Sequence, residues 1–303
     1  NHFFCYDYFT GFISMSFFEQ FSTIFIRLIA IFLMLAAGIY ARRKAYLDAE
    51  STRRLSVILT SLLYPSAIFF SLVSKFSLAG IFAQWVMPLG AFLIIVGGFF
   101  IGLLVSFLSR GEKPELRRAF HFQCAVNNYI FMPLPLVVIF WPDTGLANLA
   151  LSTIGSEIGV WTLGIMALTG FSFKLESLKK LLSAPMMAII ISFGVISCKE
   201  FFPALTQTEG FWLESWQAFL SAAEMLGAAT VPLAMIIAGS RMAVLKSDKI
   251  FTALQFWLLL LRMIIIPAVT VPLLIFLLPL QPETRFILVL IAIMPCSVSS
   301  VTL

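Results

Sequence analysis

Charge is scarce in this chain. Of its 303 residues only 12% are Asp, Glu, Lys or Arg, against about 25% in an ordinary soluble domain. Histidine is scarcer still, with two residues, and the four cysteines, Cys5, Cys124, Cys198 and Cys296, are scattered. No spacing among them matches a metal or disulfide framework, so both are excluded as organising devices. No candidate span pairs a nucleophile with a base or carries a His/Asp metal set, which excludes an intramembrane enzyme. The net charge of +5 and pI near 9.1 do not imply a nucleic-acid partner. In so apolar a chain, an excess of Lys and Arg reports cytoplasmic loops.

Apolar residues are what the chain has in quantity: 60% of it, with a mean hydropathy of +1.01. No soluble core could hide that much apolar surface, so the partner is a lipid bilayer. A crossing helix needs roughly 20 mostly apolar residues. Nine stretches qualify: 21–41, 54–74, 80–109, 116–140, 145–170, 184–202, 215–241, 250–278 and 284–303. They are continuous and lack period-two alternation, which excludes a strand barrel. The expectation is an all-α membrane protein. Its first Met is Met15, so residues 1–14 are expected to be upstream translation or a fragment boundary. No small-residue cleavage site follows the apolar stretch, which argues against a signal peptide. The chain stops at Leu303 inside an apolar run, and a tenth span is expected beyond it.

Loop charges orient the spans. Fifteen of the 20 Lys and Arg lie in alternate loops, among them Arg42, Arg43, Lys44, Arg110, Lys113, Lys179, Lys180 and Arg241. The other loops hold only Lys75, Lys199 and Arg285. By the positive-inside rule this places the N-terminus outside.

The chain also echoes itself. YPSAIFFSLVSK in the second span resembles VPLAMIIAGSR in the seventh, with Pro65 and Pro232 separated by 167 residues. Pro133 and Pro135 in the fourth span keep nearly that offset from Pro295 in the ninth, at 162 and 160 residues. Five spans plus five reverse direction between copies, so the fold class expected is an inverted repeat of two five-helix units, the tenth span missing. The divisions follow as 1–20 for an external extension, 21–170 for the first repeat, 171–183 for a cytoplasmic linker and 184–303 for the second. Inverted repeats belong to secondary transporters, which bind substrate near the midplane where broken helices meet.

Proline physics marks those breaks. Pro lacks an amide donor and clashes with the carbonyl four residues earlier. In lipid the freed groups must find partners in protein or a wet cavity. Asn127 and Asn128 precede Pro133 and Pro135 in NNYIFMPLPL, and Pro295 is followed by Cys296 and Ser297 in MPCSVSS. Ligand contact and bonding between helices are the two roles open to the amides. Three ionisable residues lie well inside spans: Glu157, Glu224 and Arg262. A charge at the bilayer centre costs about 2.5–3.5 kcal/mol on insertion scales, so each is a functional candidate. A carboxylate partner such as Glu224, or an anionic substrate, would relieve Arg262. His121, near a span end, is expected at the interface.

With these residues in view, the chain resembles the auxin efflux carrier family, which includes plant auxin carriers and bacterial malonate and malate permeases. LAAGIYARRKAYLDAESTRRLSVILTSLLYPSAIF is similar to its opening pattern, and NNYIFMPLPL to its fourth-helix motif, with Asn128, Phe131, Pro135 and Leu136 matching. Tyr129, Ile130 and Pro133 depart from the small residues usual there. EIGVWTLG, VPLAMIIAGS, LRMIIIP and IAIMPCS are similar to its fifth, seventh, eighth and ninth helices. The resemblance implies ten helices in inverted repeats, helices crossing at Pro133/Pro135 and Pro295, a scaffold–transporter division, often a homodimer, and organic anions as substrates. Glu157 falls where the family often shows Asn.

The function expected is therefore a secondary active permease of a mono- or dicarboxylate, in a cell membrane and most simply a bacterial inner membrane. Asn127, Asn128, Pro133, Pro135, Pro295, Ser297 and Arg262 are its candidate substrate-binding residues, and Glu157 and Glu224 its coupling residues. No cofactor is expected; the candidate coupling ions are H+ and Na+. A passive anion channel and a membrane sensor without transport are the alternatives.

Overall fold

A computed structural model describes residues 17–170, 181–202, 210–244 and 252–296. They form ten helices: α1 (Phe17–Arg43), α2 (Ala49–Lys75), α3 (Leu78–Leu104), α4 (Pro114–Ala125), α5 (Pro133–Phe140), α6 (Gly145–Thr169), α7 (Ala184–Phe201), α8 (Phe211–Met242), α9 (Ala253–Leu277) and α10 (Pro282–Ile293). Among the described residues the nearest thing to a sheet is one isolated antiparallel bridge. Six helices, α2, α3, α6, α7, α8 and α9, are long and apolar enough to cross a membrane. The fourth predicted span is instead two short helices, α4 and α5. The ninth leaves its helix at Ile293, three residues before the described residues end. Most of the expected extension 1–20, the linker at 171–180 and the stretch from Ser297 onward lie outside the described residues.

Proline shapes the long helices. The carbonyls four residues before Pro65 and Pro267 belong to Ser61 and Met263, and each lies in a π-helical turn, Leu59–Leu63 and Leu261–Ile265. Before Pro88 the equivalent residue is Gln84, where α3 turns. Before Pro232 it is Ala228, where the first part of α8 ends. At these four prolines the helix deforms where the ring removes a hydrogen bond, whereas Pro272 lies inside the continuous helix Ile266–Leu277.

The chain divides into two compact units, and α2 and α8 contribute to both. The smaller comprises 1–56 and 232–245. In it Gly38 lies so close to Ile236 that a Cβ would overlap its carbonyl. Thr52 Oγ1 and Ser240 Oγ share a buried hydrogen bond of 2.8 Å. Asp48 caps α2 by accepting from the Ser51 amide at 2.6 Å. That bond holds its carboxyl below the usual carboxylate range, so the cap is lost only as the carboxyl protonates in acid.

The larger unit, 57–231 and 246–303, holds the core. Residues 64–75 of α2 pack against α7 and the first part of α8, while α3 runs along α6 and against α4, α9 and α10. Tyr64, Ile68, Leu72, Met87, Ile94, Leu134, Leu149, Leu288 and Ile291 close the interior. Two glycines set the closest approaches. A Cβ on Gly155 would overlap the Pro88 carbonyl of α3, and one on Gly98 would overlap the Cys124 carbonyl of α4. Both glycines begin GxxxG pairs, Gly98/Gly102 and Gly155/Gly159, the spacing that lets helices approach closely. Where α4 meets α5, helical structure stops and the site begins.

Candidate functional site at the helix crossing

Between Ala125 and Pro133 the backbone is extended or turning, and after Ile293 it is extended to Cys296. These two breaks pair with each other. Asn127 and Cys296 form the antiparallel bridge, and the Asn128 amide donates to the Pro295 carbonyl at 2.8 Å. The Asn127 side chain, fully buried, donates through Nδ2 to the Ile291 carbonyl near the end of α10. Asn127 thus satisfies a helix end across the break. Its Oδ1 is buried without a partner among the described residues.

Asn128 works differently. Its Oδ1 accepts from the Phe131 amide at 3.2 Å, fixing the turn that leads into α5. No described residue bonds its Nδ2, so two N–H donors remain available. The start of α5 offers none. Pro133 and Pro135 have no amide hydrogen, and the Leu134 amide donates to the Ile130 carbonyl at 3.0 Å. The free N–H donors at this point belong to the side chain of Asn128, not to the start of α5.

Arg262 is 1% exposed and sits in the π turn of α9. Its Nε donates to the Met294 carbonyl at 3.2 Å and its Nη1 to the Cys124 carbonyl at 3.1 Å. Nη2 is buried with no partner among the described residues. The partner suggested by charge, Glu224, is exposed on α8 with no ion pair or hydrogen bond among the described residues. The guanidinium bonds backbone, not carboxylate.

Glu157 of α6 is 7% exposed. Its Oε1 accepts from the Tyr129 hydroxyl at 3.1 Å and its Oε2 from the Trp161 indole at 2.8 Å. Tyr129 follows Asn128 directly, so the carboxyl is tied to the break itself. Beside it, Tyr64 and Thr153 share a hydroxyl contact of 3.3 Å, and the Tyr64 ring lies 6.3 Å from that of Phe131. No cation reaches Glu157: the ion pairs among the described residues are those of Glu50 with Arg53 and Arg54, and of Lys75 with Asp143.

The structure therefore brings together Asn127, Asn128, Pro133, Pro295, Arg262 and Glu157, with Pro135 the third residue of α5. It leaves Glu224 apart, and Ser297 lies outside the described residues. Three participants were not anticipated: Tyr129, Trp161 and Tyr64. Trp161 was within reach of sequence reasoning, since it stands four residues after Glu157 on one helix face. His121 is buried within the protein; its Nε2 meets the Phe99 carbonyl at 2.9 Å, beside the space left by Gly102. A second polar knot was missed altogether. Glu283 in the first turn of α10 accepts from Thr144 Oγ1 and Asn148 Nδ2, both at 2.7 Å.

Helices long and apolar enough to cross a bilayer, packed with shorter ones that break against one another around buried polar groups, define a multi-pass membrane protein of the transporter class. The comparison with family models agrees: the one described as membrane transport protein matches residues 23–176, just over half the chain. The chain belongs to this family, that of the auxin efflux carriers, which is a family of transporters and not of enzymes. The matched segment includes Asn127, Asn128, Pro133, Pro135 and Glu157. No curated protein matches the chain.

Proposed function

We propose that the protein is a secondary active permease for a small organic anion, a mono- or dicarboxylate, held at the crossing of the two breaks. The observation that carries this reading is the unspent hydrogen-bonding capacity there. Asn128 Nδ2 and Arg262 Nη2 are donors without partners among the described residues, beside the unpartnered acceptor Asn127 Oδ1. Buried polar groups ordinarily find partners, so the two buried exceptions at the crossing, Arg262 Nη2 and Asn127 Oδ1, fit a ligand that supplies them. Both donors suit a carboxylate. Glu157, tied to the same break through Tyr129 and facing no cation, suits a site that takes up a proton with the substrate.

In this reading the two breaks are the corresponding fourth and ninth helices of an inverted five-plus-five repeat. Substrate crosses by alternating access, with H+ rather than Na+ as the coupling ion. The chain lies in a cell membrane with its N-terminus outside, and a homodimer is the assembly the family resemblance favours. Counterflow in proteoliposomes tests the function: saturable exchange of labelled malonate or another carboxylate supports a carrier. Flux that does not saturate would indicate a channel, and no flux with any of a panel of carboxylates would favour a sensor. Orientation has its own check. A cysteine placed at Asp143 should label with impermeant reagent in intact cells and one at Glu112 should not; the reverse pattern would invert the topology.

A further inference from the structure

We infer that Arg262 is a tethered cation, occupying the place at the crossing that a bound metal ion would otherwise fill. The geometry is specific. Cys124 lies in the last turn of α4 and Met294 is the residue that ends α10, so the guanidinium bonds the C-terminal carbonyls of both broken helices. A helix C-terminus carries about half a negative charge. Two of them sum to roughly one, which a single guanidinium balances. This explains how an arginine 1% exposed persists with no carboxylate among its described partners.

Half-helix C-terminal ends and unwound carbonyls are where secondary transporters coordinate Na+. Here those carbonyls are taken by a side chain that does not dissociate. Arg262 is thus a positioning residue: it holds the ends of α4 and α10 together and fixes the backbone of Val126–Asn128 against Met294–Cys296. It also makes a metal ion unnecessary. That ionic consequence rests on the transport reading above, whereas the anchoring does not.

The test uses the purified full chain. Arg262→Ala frees two buried carbonyls and should lower Tm by roughly 10 °C, from the loss of two charge-assisted bonds. Millimolar methylguanidinium should restore most of the loss without moving the wild type. Tetramethylammonium, with the charge but no N–H donor, should restore none. Wild-type Tm in Arg262→Ala, or equal recovery with either cation, would overturn the proposal. Where Arg262→Ala does not fold, Arg262→Lys should give a Tm below wild type, because one ammonium cannot span both carbonyls; an unchanged Tm would overturn it. Independently, replacing Na+ by N-methyl-D-glucamine should leave wild-type Tm and malonate counterflow unchanged. A Na+-specific rise in wild-type Tm would contradict the tethered cation even if no transport is ever observed.

Discussion

Arg262 and Glu157 face the same difficulty and meet it in opposite ways. Both lie inside membrane-spanning helices and both are almost wholly buried. Arg262 is held by backbone carbonyls that belong to helix ends, so its environment is electrically matched to a fixed positive charge. Glu157 is held by a tyrosine hydroxyl and an indole, two neutral groups that satisfy its oxygens without balancing a charge. A charge matched by backbone is part of the architecture. One met only by neutral donors can be exchanged for a proton without the fold losing an ion pair. The lesson is that insertion cost alone does not identify a functional charge; the nature of its partners does.

Stability separates the two most sharply. Arg262→Met leaves two carbonyls at the crossing without donors, and unfolding in detergent should show a loss of about 3–5 kcal/mol, the range for breaking a buried charged contact. Glu157→Gln should cost no more than about 1 kcal/mol. The Gln carbonyl still accepts from Trp161, and its NH2 donates to the Tyr129 oxygen, which can reverse its role. Equal losses in the two variants would erase the distinction.

Coupling to a pH gradient should depend on Glu157. In Glu157→Gln, uptake driven by a pH gradient should disappear while equilibrium binding of the substrate persists. If the variant keeps the wild-type pH dependence, Glu157 is structural and the contrast with Arg262 fails.

Much of this was legible in the sequence, for identifiable reasons. Proline acts on the carbonyl four residues before it, and Pro65, Pro133, Pro232, Pro267 and Pro295 mark real discontinuities, though Pro272 is absorbed within a helix. Adjacent amides before a proline pair are costly in lipid, and Asn127 and Asn128 do lie at the break. Partners made of backbone have no sequence signature. Arg262 invites a search for a carboxylate, and Glu224 is the obvious one, yet the guanidinium binds Cys124 and Met294 through atoms every residue possesses. Tyr129 stands where the family pattern has a small residue, and its hydroxyl is what ties Glu157 to the crossing. The knot of Glu283 with Thr144 and Asn148 joins residues more than 130 positions apart, beyond any local spacing rule.

The central claim is that the crossing binds the substrate through Asn128, and a pair of substitutions reads it directly. Asn128→Asp keeps the oxygen that accepts from the Phe131 amide but replaces the two donors with negative charge. Asn128→Ala removes both functions. In counterflow with labelled malonate, or whichever carboxylate the wild type exchanges, Asn128→Ala should raise KM about ten- to a hundredfold, the cost of one hydrogen bond to a charged group. Asn128→Asp should raise it further while unfolding at nearly the wild-type temperature. Wild-type KM in a folded Asn128→Asp protein would contradict the account, because an added negative charge at the site could not then go unnoticed by an anion.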